Sequence, residues 1–86
     1  MMNFLSSTEI NDLVLKNVNK DIYYRSGIDY RFTDETGKSI EGHLRNRKVT
    51  LDYLLGQLNH YYIELEKDEC TDDKLVFHGY SSNDME

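Results

Sequence analysis

The sequence predicts a small α+β domain of two layers. An antiparallel sheet of about three strands carries two helices in the order α-β-β-α-β. Three observations predict it. Leu51, Leu54, Leu55, Leu58, Tyr62 and Leu65 fall at the spacing of one buried helical face, so a main helix is expected over 50–67. Residues 28–45 alternate apolar and polar side chains on either side of a Gly-containing turn, which is the pattern of a β-hairpin. Ser6-Ser7-Thr8-Glu9 forms a capping box ahead of Ile10, Leu13, Val14 and Val18, which opens a shorter helix over 8–18.

In chain order, Phe4 or Leu5 is placed to staple the first helix, Leu15 breaks its apolar pattern, and Asn17, Asn19 and Asp21 mark its end. Ile22-Tyr23-Tyr24 offers a further short strand, with Ser26-Gly27 as a bend. The hairpin's register follows from its two apolar sets sharing a face. A three-residue loop, Glu35-Thr36-Gly37, with Gly37 at positive φ, pairs Asp34 with Lys38. Phe32 then faces Ile40, Tyr30 covers Gly42, and Ile28 faces Leu44. On the outer side Arg31 faces Glu41 and Asp29 faces His43. Lys74–Tyr80 alternates Leu75, Phe77 and Gly79 against Val76, His78 and Tyr80, a strand with two partly apolar faces suited to a central or an edge position. Residues 81–86 read as a loose tail.

A chain of 86 residues is expected to be one domain, 1–86, with one small core and little room for a deep cleft. The single cysteine, Cys70, excludes an intramolecular disulfide and fits a reducing compartment. The start, MMNFLSS, has neither a basic n-region nor an apolar h-region, and no apolar run approaches the roughly 20 residues of a membrane span. A cytoplasmic, non-membrane protein is expected.

Charge is distributed unevenly. Residues 1–63 hold eight acids and eight bases, so the net charge of −6 lies wholly in residues 64–86. There Glu64, Glu66, Asp68, Glu69, Asp72 and Asp73 crowd a short stretch, with Tyr61, Tyr62 and Tyr80 near it in the expected fold. Such a surface either aids solubility or competes for a positively charged groove as a mimic of nucleic-acid phosphates. Arg45, Arg47 and Lys48 form the one basic cluster, a candidate anion-binding loop ahead of the main helix. The overall negative charge opposes direct binding of nucleic acid.

Enzymatic signatures are weak. His60 and Glu64 would stand one turn apart on the helix, but no HExxH, CxxC or HxH accompanies them, and the spacing suits a solvated helix face. Cys70 is flanked by Asp68, Glu69, Asp72 and Asp73, which disfavour a thiolate. No Gly-rich phosphate loop occurs, and Gly56 in mid-helix reads as room for a close neighbour. No catalytic residue, metal or cofactor is expected.

Over its whole length the chain resembles, in size and composition, small inhibitors encoded by phages and mobile elements, including some anti-CRISPR proteins. It is short, acidic, rich in Asn, Asp, Lys and Tyr, and lacks Pro and Trp. No motif is shared and no residue role is carried across. The resemblance implies a protein that works by binding. The expected function is therefore non-enzymatic inhibition of a nucleic-acid-handling partner through a basic surface on that partner, in the host cytoplasm if phage-encoded. Glu64, Glu66, Asp68, Glu69, Asp72, Asp73, Tyr61 and Tyr80 are its candidate contacts. The alternative is a homo-oligomeric assembly domain, a homodimer for instance, whose acidic end only aids solubility.

Overall fold

A computed structural model describes residues 3–26, 30–42 and 46–81. The first helix, α1, spans Ser7–Lys16 and begins at the expected capping box: Ser6 Oγ accepts from the Glu9 amide, and Glu9 returns a carboxylate oxygen to the Ser6 amide. It ends two residues earlier than the apolar spacing suggests. Asn17 caps it, its backbone N–H bonding Val14 O and its side chain Leu13 O. Val18, expected on the apolar face, lies beyond the helix and is exposed.

Strand β1 (Asp21–Ser26) follows, then a hairpin of β2 (Tyr30–Thr33) and β3 (Ser39–Gly42). The hairpin register is the one the sequence predicts: Phe32 opposite Ile40, Arg31 opposite Glu41 and Tyr30 opposite Gly42. Arg31 and Glu41 close to 2.6 Å, and Gly37 takes φ 85° in the turn. Asp34 ties that turn together by accepting from Thr36 and from the Lys38 amide. These bonds, the Thr36 hydroxyl first, hold its carboxyl below the ordinary range. The expected pairs Ile28–Leu44 and Asp29–His43 lie outside the described residues, as do residues 82–86 of the expected tail.

After the hairpin, Arg47–Lys48 forms a two-residue strand, β4, where a loop was expected. Helix α2 then covers Leu51–Gln57, capped by the Thr50 hydroxyl accepting from the Tyr53 amide. The expected helix over 50–67 is corrected here. The chain tightens at 58–61 into bonds from Leu58 N to Leu55 O, Asn59 N to Gly56 O and His60 N to Gln57 O, and then extends as strand β5, Tyr62–Leu65. The reason is local and tertiary together. Asn59-His60 is a poor helical continuation, and Tyr61-Ile63-Leu65 alternates with Tyr62-Glu64-Glu66 at the period of a strand. As strand, this segment completes the hydrogen bonding of β6 (Lys74–Tyr80), which it reaches through a 3₁₀ turn at Lys67–Glu69.

The sheet order is β4-β1-β6-β5. It is mixed, whereas an all-antiparallel sheet was expected: β1 and β6 run parallel, while β4 and β5 flank them antiparallel. The protein is thus a small α+β domain, with two α-helices, a mixed four-stranded sheet and a two-stranded one among the described residues. Odd-numbered Ile63, Leu75 and Phe77 and even-numbered Ile22 and Tyr24 share the face that the helices cover, with Ile10 of α1 and Leu54 of α2 buried against them. Among the described residues no helix is long and apolar enough to cross a membrane.

Gly56 is exposed in α2, and a methyl group there would meet nothing within 4 Å. The expected close neighbour is therefore absent among the described residues. Gly56→Ala is expected to raise stability by roughly 0.5–1 kcal/mol, by removing backbone freedom from the unfolded chain. Thermal and urea unfolding of the variant check this, and an unchanged or lowered midpoint would contradict it.

Candidate functional site: the helix-free face of the sheet

Strand alternation sends a second set of side chains to the opposite face. In β1 these include Tyr23 and Arg25, in β6 Val76, His78 and Tyr80, and in β5 Tyr62 and Glu64. The register brings Arg25, His78 and Glu64 into one row across three strands, with Tyr80 and Tyr62 in the next. Glu66 and Glu69, in the connection after β5, reach the same row.

The groups are interlocked. Arg25 Nη1 donates to Glu69 Oε1 at 3.3 Å, its Nη2 lies 3.3 Å from Glu69 Oε2, and Glu66 Oε1 is 3.8 Å away. Only the Nη1–Oε1 contact is a hydrogen bond; Glu69 Oε2 and Arg25 Nε have no hydrogen-bond partner among the described residues, so the pair is held by one charge-assisted bond and by charge proximity. His78 Nδ1 lies 3.1 Å from Glu66 Oε1, on a side chain that is 10% exposed. Tyr80 donates its hydroxyl to Glu64 Oε1 at 2.5 Å and more distantly to Glu66 Oε1 at 3.4 Å. Burial, then the hydrogen bond to Glu64 and the charges of Glu64 and Glu66, push the Tyr80 hydroxyl far above its ordinary pKa, so it remains a donor.

Aromatic rings continue the face beyond this network. His78 and Tyr80 have ring centroids 4.2 Å apart, Phe4 sits 5.9 Å from Tyr80, and Tyr62 sits 5.2 Å from Phe4. Phe4 is carried there by the N-terminal segment, whose Leu5 amide bonds the Ile63 carbonyl at 2.7 Å. Tyr62 is half exposed.

No protein-family model, curated protein or solved structure matches this chain.

The candidate contacts of the sequence therefore divide. Glu64, Glu66, Glu69 and Tyr80 meet in the network, where Glu66 and Glu69 are partly neutralised by Arg25. Asp68, Asp72 and Asp73 are exposed in the connection between β5 and β6. Tyr61 turns to the other side and packs against the core. In the basic cluster, Arg47 lies 5.4 Å from the Tyr53 ring centroid, Lys48 pairs with Asp21 at 3.1 Å, and Arg45 falls outside the described residues. Thr50 already caps the α2 N-terminus, so the two described bases and that helix end are engaged within the fold. His60 stands in the turn after α2 and Glu64 in β5, so they are not helical neighbours. Among the described residues no group of three His, Cys, Asp or Glu is placed to hold a metal ion. Cys70 is half-buried, its Sγ donating to Glu66 O at 3.2 Å and accepting from the Val76 amide at 3.4 Å.

Arg25, His78 and Phe4 are the members that sequence reasoning did not connect to the acidic stretch. The alternation of β6 already placed His78 beside Tyr80. The parallel pairing with β1 that delivers Arg25 carries no local sequence signal.

Proposed function

We propose that the chain is a small acidic, non-enzymatic binding protein that inhibits a nucleic-acid-handling partner by occupying a basic surface on it. The observation that carries this reading is the composition of the helix-free face. Phe4, Tyr62 and Tyr80 present aromatic area beside Glu64, Glu66 and Glu69, and Arg25 is the one Arg or Lys side chain in that network among the described residues. Aromatic anchors bordered by charge of one sign are what a complementary protein interface uses for affinity and for steering. Asp68, Asp72 and Asp73 extend the negative charge at the surface without serving an ion pair among the described residues.

The test is a tagged capture from host lysate under conditions where nucleic acid competes for the partner. Because Glu64, Glu66 and Glu69 also hold the fold, the informative variant is Asp68→Asn, Asp72→Asn and Asp73→Asn together. A nuclease, polymerase or repressor retained by the native chain should be lost at least tenfold with the variant. Its affinity for the native chain should fall steeply between about 50 and 300 mM salt. Capture that is identical for both forms and insensitive to salt would overturn the reading.

The homo-oligomeric alternative draws on the β2–β3 hairpin, whose strands among the described residues pack mainly on each other, with Phe32 52% exposed. A self-association constant that is micromolar or tighter and independent of salt would favour it.

A further inference from the structure

We infer that the corner formed by Tyr62, Phe4, Tyr80 and Glu64 is a subsite for an arginine side chain of the partner. This rests on the reading above, that the chain binds a basic protein surface, and it names the group recognised there.

Charge selects the sign of the ligand. Of the three carboxylates on the face among the described residues, Glu66 and Glu69 are engaged by Arg25. Glu64 has no cationic partner among the described residues. Its Oε1 accepts the Tyr80 hydroxyl, and its Oε2 meets no protein donor among those residues. An anion at this corner would face Glu64 and Glu66 together. A purely apolar group would strip water from Glu64 with nothing in exchange.

Shape selects the kind of cation. Tyr62 is half exposed and lies two residues before Glu64 on the same face of β5, about 7 Å along the strand. The Phe4 ring tilts at 35° against it and at 51° against Tyr80, so the three rings form an open corner instead of a closed stack. A planar guanidinium can lie against the Tyr62 ring and direct its edge N–H groups to Glu64. An ammonium supplies the charge without the plane or the fork. Related contacts are already in use within the fold, where the Arg47 guanidinium lies over Tyr53 and Arg25 donates to Glu69 Oε1. Glu64 is held in place for the contact by the hydroxyl of Tyr80, so little side-chain freedom remains to be lost on binding.

The probes are two blocked ten-residue peptides that differ only in carrying three arginines or three lysines. Each is titrated into isotope-labelled protein while amide and aromatic resonances are followed. The arginine peptide should shift the Tyr62, Phe4 and Tyr80 rings and the Glu64 amide, and bind at least fivefold more tightly than the lysine peptide. Tyr62→Ala should abolish the difference between the two peptides, whereas Tyr62→Phe, which keeps the ring, should preserve it. Glu64→Gln should weaken the arginine peptide at least threefold. Equal affinity of the two peptides, or shifts confined to residues 68–73, would overturn the subsite and leave only general electrostatic attraction. Failure of the subsite and failure of the proposed function are distinguishable. Discrimination between peptides without any nucleic-acid-handling partner would keep the subsite and remove the function. Capture of such a partner that Tyr62→Ala leaves intact would do the reverse.

Discussion

Ile63→Ala is expected to destabilise the protein by roughly 2–5 kcal/mol, while Tyr62→Ala costs less than about 1 kcal/mol. The contrast follows from the strand geometry of residues 62–65. Ile63 is fully buried between the sheet and the helices, whereas Tyr62 points to the opposite face and is half exposed. A helix running through this segment would reverse the ranking, because Tyr62 continues the stripe begun by Leu51, Leu54, Leu55 and Leu58 and Ile63 leaves it. Chemical denaturation of the two variants decides between these geometries. For a chain of this size the Ile63 variant should lose at least about 8 °C in thermal midpoint. Equal losses, or a larger loss at Tyr62, would exclude β5 as the partner of β6.

A methyl group at Gly79 should be nearly as damaging, near the upper end of about 1–3 kcal/mol. The side chain of Tyr24 lies directly over this glycine. An added Cβ would collide with the tyrosine hydroxyl oxygen and come within 2.9 Å of the ring carbon that bears it. Tyr24 cannot swing away, since it is 2% exposed and packs edge-on against Tyr53 at 6.0 Å. Its hydroxyl is buried with no hydrogen-bond partner among the described residues, and burial pushes its pKa far above the ordinary tyrosine value. Two further results are therefore expected. Tyr24→Phe alone should be neutral or stabilising, because it removes an unsatisfied buried group and keeps the ring. Combined with Gly79→Ala, it should recover at least about 1 kcal/mol of the loss, measured as coupling in a double-mutant cycle. Strict additivity of the two substitutions would show that Tyr24 is not what makes glycine necessary at position 79.

What the sequence determined by itself was local. The capping box at Ser6–Glu9, the hairpin register through Gly37 and the span of β6 are each set by residues close in the chain, and each stands in the structure as the spacing predicts. Its acidic excess was also legible, because charge needs only counting.

Tertiary structure decided the rest. Residues 58–65 carry apolar side chains compatible with both periods, 3.6 and 2, and the free edge of β6 settled the competition by accepting a strand. The same ambiguity hid the candidate site. Read as helix, Tyr62 belongs to the core and His60 stands beside Glu64; read as strand, Tyr62 and Glu64 share the face opposite the two α-helices. The parallel pairing of β1 with β6, between segments some fifty residues apart, then set Arg25 against Glu66 and Glu69. Contacts that distant are chosen by which arrangement buries Phe77, Ile63 and Ile10 together, and no local spacing records that choice.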